Sequence, residues 1–263
     1  MAVLDASVVW GQQVTAARFS EVGFDQNLDA QVPLAIPVRD ESGRTVLLGD
    51  YFGRKPVILT LNYYNCPMLC TIELNGLLRS LRTLTFSAGD QFEIVTLSID
   101  PTETAALAAA KKASYLRRYG RPEAASGWHF LTADAASIKA ITRAVGFRYL
   151  YDSKSGQYAH PAGILILTPQ GRVARYFYGL EYPPRDLRLG LLEASANKIG
   201  SPVDKILLLC FHYDPSTGKY SIAIMNILRA LAVLTLLSLG TFMFVMLRRD
   251  RQRAKSGAGF GPL

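Results

Sequence analysis

The stretch PVILTLNYYNCPMLCTIELNGLLRSLRTL, residues 56–84, decides how this chain reads. Val57, Ile58, Leu59 and Leu61 form an apolar run with the character of a buried strand. From Ile72 the apolar residues fall at helical spacing: Ile72, Leu74, Leu77, Leu78, Leu81 and Leu84. At the junction stand Cys66 and Cys70, with Pro67 suited to the first position of a helix. The pattern places Cys66 near the N-cap and Cys70 one turn later, both at the positive end of a helix dipole. That field favours the thiolate, the form that binds metals and attacks disulfides.

The elements on either side extend the pattern. Ahead of it, VPLAIPVRDESGRTVLLGDYF (32–52) predicts a β-hairpin turning at Asp40 to Gly43. Behind it, FEIVTLSI (92–99) is a second buried strand, and Asp100, Pro101 and Glu103 are expected to open the next helix as a capping box. GWHFLT (127–132) is a short strand, and Asp134 caps a helix reaching about Val145. GILILTPQGRVARYFYG (163–179) folds back on its Pro-Gln-Gly turn, and a helix follows from about Pro184 to Ile199. Strand, helix, strand, helix, hairpin and helix is the thioredoxin-like order. The expected class is therefore α/β, a thioredoxin-like fold with an N-terminal β-hairpin extension.

A disulfide, a redox couple and half of a metal site all remain open for the cysteine pair. Residues i and i+4 of a helix lie about 6 Å apart, which suits a disulfide between Cys66 and Cys70 as well as a shared metal. The usual redox pair of this fold is C-x-x-C, however, and this one is C-x-x-x-C. Of the three histidines, His160 in GQYAHPAGILIL (156–167) enters the hairpin strand, where a thioredoxin-like fold brings it against the cysteine turn. Two thiolates and an imidazole suit Cu(I) and also hold Cu(II). Zinc, which wants a fourth ligand, is second choice. His129 reads as a strand residue.

The totals exclude other classes. Three cysteines in 263 residues are too few for a disulfide scaffold, and 49% hydrophobic residues exclude a largely disordered chain. The net charge of +8 is no nucleic-acid signature, because Arg248, Arg249, Arg251, Arg253 and Lys255 against Asp250 supply half of it. No nucleic-acid motif accompanies the rest.

ALAVLTLLSLGTFMFVML, residues 230–247, carries no charge, and the apolar run before it extends the stretch to the length of a C-terminal transmembrane helix. The basic tail beyond Leu247 is expected to stay cytoplasmic, with the large domain on the extracytoplasmic (periplasmic) side. The organisation read from the sequence is an N-terminal extension over 1–21, a thioredoxin-like domain over 22–199, a juxtamembrane segment over 200–221, a transmembrane helix over 222–247 and a basic tail over 248–263. MAVLDASVVW lacks the basic start of a secretion signal.

VRDESGRTVLLGDYFGRKPVIL (38–59), NYYNCPMLC (62–70), VTLSIDPTET (95–104) and YAHPAGILILTPQGRVARYFYG (158–179) occur in this order. Together they resemble the Sco (SenC) family of copper-binding proteins of cytochrome c oxidase assembly. The resemblance covers about residues 22–199. It implies that Cys66, Cys70 and His160 bind copper, as Cu(I) or Cu(II), and that the partner is the copper-centre subunit of a respiratory oxidase, with other copper carriers or thioredoxin-like reductants alongside. It implies a metallochaperone without turnover. The alternative is a thiol-disulfide oxidoreductase that reduces the cysteines of the oxidase copper site, for which the pair would act as a redox disulfide.

Better-known members carry an N-terminal anchor, whereas here it is expected at the C-terminus. The family aspartate corresponds to Asp100, read here as a cap and not as a ligand. In SPVDKILLLCFHYDPSTGKYS (201–221), Cys210, His212 and Asp214 lie close together, but Cys210 ends an apolar run and reads as a small buried hydrophobe. A peroxidase is disfavoured because Tyr63 stands where such a site needs a short hydroxyl side chain.

Overall fold

The structure is a computed structural model; it describes residues 21–66, 69–199, 213–214, 219–220, 229, 232–246 and 248. The chain divides into two units at Ser201/Pro202.

In the first unit a five-stranded sheet forms the centre. Strand β1 is Gly23–Phe24, and β2 (Pro37–Arg39) pairs antiparallel with β3 (Thr45–Leu47) as the expected hairpin. Then follow β4 (Val57–Asn62), α1 (Leu69–Thr83), β5 (Glu93–Ser98), α2 (Ala105–Tyr119), β6 (Trp128–Leu131) and α3 (Ala135–Ala144). After β7 (Phe147–Arg148) come a small antiparallel hairpin, β8 (Leu150–Asp152) with β9 (Gln157–Ala159), then β10 (Gly163–Leu167), β11 (Val173–Tyr178) and α4 (Pro184–Ser195). The main sheet runs β11-β10-β4-β5-β6, with β4, β5 and β6 parallel and β10 antiparallel to both neighbours. This is the expected thioredoxin-like α/β arrangement.

Every residue of β4 and of β10 is buried, consistent with their central positions in a sheet covered on both faces. One core packs Leu74, Leu77, Leu78 and Leu81 of α1 against Ile58, Ile94, Trp128 and Phe130; the other lies across the sheet around Leu59, Leu61, Val95 and Leu97. Each such leucine contributes about 1.5–3 kcal/mol on burial. On α1 the inward positions are Cys70, Glu73, Leu74, Leu77, Leu78 and Leu81, whereas Ile72 is exposed. At 100° per residue, Ile72 stands nearly opposite Cys70 and Leu74, so a strict helical stripe excludes it and turns Glu73 inward instead.

Two helix ends differ from expectation. Helix α2 is capped by Thr104, whose side chain accepts from the Leu107 N–H, and not by an Asp100–Glu103 box. Asp100 instead closes a local turn, accepting from the N–H (2.8 Å) and hydroxyl (2.7 Å) of Thr102. Helix α4 stops at Ser195 rather than near Ile199, and Asn197 beyond it adopts a positive φ of 58°. Asp134 caps α3 as expected, accepting from the Ser137 N–H.

In the second unit β12 (Tyr213–Asp214) pairs with β13 (Lys219–Tyr220), and residues 232–246 are helical with exposed side chains. Among the described residues no helix is long and apolar enough to cross a membrane. The remaining parts of the expected span over 222–247, apart from Arg229, and Cys210 and His212 of the segment over 200–221, lie outside the described residues.

Candidate metal centre

Strand β4 ends at Asn62, and the next four residues turn to bring Cys66 to the start of α1. Cys70, in the first turn of that helix, donates its backbone N–H to the Cys66 sulfur at 3.3 Å. The Cys66 side chain thus takes the place of a capping acceptor at the helix start. From the other side of β4 comes β10, whose entry loop carries His160 between β9 and the first residue of the strand. Its Nε2 lies 2.9 Å from the Cys70 sulfur. The two sulfurs and one imidazole nitrogen all fall within 4.8 Å of one another.

The state of His160 follows from its surroundings. The side chain is buried, and burial holds its pKa below the ordinary 6.5, so the ring is neutral at neutral pH. Its Nδ1 is 3.0 Å from the Pro161 carbonyl oxygen, an acceptor only, which places the ring proton on Nδ1. Nε2 is left with its lone pair directed at the cysteines. A metal-binding histidine has this arrangement, one nitrogen fixed by a backbone carbonyl and the other available. Tyr63 and Phe147 flank the ring, each with its centroid 6.1 Å away.

Cys70 departs from the expectation set by the helix dipole. It is 2% exposed, and burial pushes its thiol pKa far above the usual value, with the neighbouring Cys66 adding to the shift. Desolvation outweighs the helix terminus here. In the metal-free protein Cys70 is a thiol that donates to His160 Nε2. A soft cation able to replace that proton would find two sulfurs and a nitrogen already gathered, which are the donors Cu(I) prefers. The residues fit copper. The two cysteines stand as thiols, not as a disulfide.

Among the described residues this is the one grouping of three or more such side chains that could hold a metal. His129 lies on β6 with Nε2 3.4 Å from Glu93 Oε2, away from the site as expected, and Asp100 is occupied by its own turn. Sequence reading missed Glu103, whose carboxylate accepts from the Tyr64 N–H (2.8 Å) and the Asn65 N–H (2.7 Å) just ahead of Cys66. It also missed Tyr63, whose phenol is held well above its usual pKa by burial and by its hydrogen bond with Cys66. The third omission is Glu73. Its carboxyl is fully buried, beside the equally buried side chain of Asn62. Only the two adjacent polar residues in Tyr64-Asn65 hinted at the Glu103 contact.

Several known proteins share this fold. A protein from Aquifex aeolicus VF5 whose suggested role is electron transfer is 24% identical, with a TM-score of 0.57 over 67% of this chain and 98% of its own. BsSco, described as a member of the Sco family of cytochrome c oxidase assembly proteins with a disulfide switch, is 18% identical, with a TM-score of 0.52 over 66% of this chain and 99% of its own. ScoI of Arabidopsis thaliana, solved with copper bound, is 18% identical, with a TM-score of 0.49 over 62% of this chain and 99% of its own. A search of curated proteins gives no match. The SCO1/SenC family model matches residues 37–189, more than half of the chain and all three members of the cysteine–histidine group, and the chain belongs to that family.

Proposed function

We propose that this protein binds one copper ion through Cys66, Cys70 and His160 and delivers it to the copper-centre subunit of a respiratory oxidase during cytochrome c oxidase assembly. The observation that supports the reading most is the convergence of two sulfurs and a lone-pair imidazole nitrogen within 4.8 Å, on a chain of the SCO1/SenC family. Copper is the cargo. Loading displaces the thiol protons, and delivery proceeds by ligand exchange, a cysteine of the partner entering as one ligand leaves. His160 is the ligand most easily released, being a neutral donor beside two thiolates. A tether through residues 222–247, with the domain on the extracytoplasmic side and the basic tail cytoplasmic, belongs to the same proposal.

The second reading is reduction of the partner's cysteines by the Cys66–Cys70 pair, and the disulfide switch described for BsSco favours keeping it in view. His160 separates the two readings. Anaerobic Cu(I) titration of the reduced protein should give one equivalent bound. His160→Ala should weaken retention by about tenfold to a hundredfold, roughly 1.4–2.7 kcal/mol, while disulfide exchange survives within a few-fold. Cys66→Ser and Cys70→Ser should abolish tight binding. Copper binding unaffected by any of the three substitutions would overturn the assignment, and oxidase assembly undisturbed by His160→Ala under copper limitation would give the reductase reading precedence.

A further inference from the structure

Glu103 makes contacts that helix capping does not explain. It lies in the loop between β5 and α2, is 9% exposed, and uses both carboxyl oxygens inward. Oε1 accepts from the Asn65 N–H at 2.7 Å, and Oε2 accepts from the Tyr64 N–H at 2.8 Å and from the Ser98 hydroxyl at 2.6 Å. Tyr64 and Asn65 are the two residues immediately before Cys66. Their amides lie beyond the end of β4, where no strand partner takes them up, so this single side chain supplies the acceptors for the turn. Tyr64 is fixed at its other end too, its hydroxyl donating to the carbonyls of Thr96 (2.9 Å) and Leu131 (2.7 Å). The Cys66 sulfur therefore sits at the end of a turn clamped to β5 and β6, while Cys70 and His160 are held by α1 and β10.

We propose that Glu103 is the positioning residue of the copper site: by clamping the Tyr64 and Asn65 amides it sets where the Cys66 sulfur stands relative to Cys70 and His160. The copper part of this statement rests on the function proposed above; the effect on Cys66 does not. Ligands set in advance bind without the cost of ordering the loop when the ion arrives. Ser98 acts behind Glu103, fixing the carboxylate that fixes the turn.

The test uses Glu103→Gln, which keeps the shape but turns an amide NH2 toward one of the two N–H donors, and Ser98→Ala, which keeps the charge but frees the carboxylate. Asp100→Asn is the control, a nearby carboxylate that holds only Thr102. Two quantities are read: Cu(I) retention against a competing chelator, and the alkylation rate of Cys66 in the metal-free protein by mass spectrometry. The thiolate-to-Cu(II) absorption band gives a third, sensitive to sulfur placement. Expected for Glu103→Gln is about a tenfold loss of retention, a several-fold faster alkylation and a displaced band, with Ser98→Ala intermediate and Asp100→Asn like wild type.

Wild-type values in both Glu103→Gln and Ser98→Ala overturn the proposal, as does an equal effect from Asp100→Asn. If Glu103→Gln does not fold, by circular dichroism, Ser98→Ala decides. If the wild-type protein binds no copper, the function proposed above fails, and the alkylation rate alone decides the positioning claim.

Discussion

The Nε2 atom of His160 stands 2.9 Å from the sulfur of Cys70, a residue 90 positions earlier in the chain. The contact exists because β10 lies beside β4 in the sheet, with Ile164 opposite Thr60 and Leu165 opposite Leu59. The two cysteines differ in consequence. Cys70 is buried against the imidazole and its thiol is disfavoured from ionising, whereas Cys66 is half-buried. Limited iodoacetamide treatment of the reduced, metal-free protein at pH 8 should therefore modify Cys66 at least about tenfold faster than Cys70, since the thiolate is the reacting form. Peptide mapping by mass spectrometry reads the ratio, and equal labelling would contradict the burial argument.

Glu73 gives the protein a pH dependence of unusual sign. Burial raises its carboxyl well above 4.5, against smaller opposing effects from the Gly163 backbone and the Asn62 side chain. In the unfolded chain this carboxyl ionises from about pH 4.5 upward, while the folded one keeps its proton. The unfolded state then binds fewer protons, so this group's contribution to stability declines as pH rises from about 4.5 toward the folded pKa. Glu73→Gln should remove that slope. Relative to wild type it should gain about 1–2 kcal/mol at pH 7.5 and nothing at pH 4, as measured by urea unfolding. Parallel curves for the two proteins would contradict the expectation.

Asp40 works in the opposite direction. Burial alone would raise its pKa, but hydrogen bonds from the Ser42 hydroxyl and backbone and from the Arg44 backbone and side chain outweigh it and hold the carboxyl at about 2. Its contribution is present above the unfolded value near 4 and is lost as pH falls toward 2. Asp40→Asn should cost about 1–2 kcal/mol at pH 7, and the difference from wild type should vanish in acid. A gap that persists at pH 2 would show that charge is not its source.

At Gly76, in the middle of α1, packing and helix propensity make contrary demands. Propensity alone would have alanine stabilise the helix by about 1 kcal/mol. A Cβ there would stand 1.8 Å from the carbonyl oxygen of Leu180, a backbone atom that cannot move aside cheaply. Gly76→Ala should destabilise the domain by about 2 kcal/mol and shift α1, which carries Cys70. Denaturant unfolding gives the sign directly; a more stable variant would mean that the Leu180 loop yields.

The order of strands and helices, and hence the meeting of His160 with the cysteines, was legible because long apolar runs and helical spacing are decided locally. Ile72 and Glu73 show where that reading fails. Hydrophobicity alone puts Ile72 inside, yet the angular position of α1 is fixed by Leu74, Leu77 and Leu81, and the acid is carried inward with them. Glu103 fails for a related reason: its spacing from Asp100 imitates a cap, while the N–H donors it actually serves belong to a turn 38 and 39 positions away that only the fold brings near. The β8–β9 hairpin was missed because its three-residue strands carry too little pattern, although Asp152 to Gly156 has the composition of a turn. The thiolate expectation failed on burial, which no local spacing reports.

Because β10 is inserted between β4 and β11, synthesis has consequences for the metal. Both cysteines leave the ribosome well before His160, and until β10 is made the edge of β4 has no partner on that side. A copper ion meeting the nascent chain would find sulfur but no imidazole, in an arrangement the finished sheet does not contain. On the proposed function, loading belongs after folding, once the completed sheet has brought His160 to the two thiols.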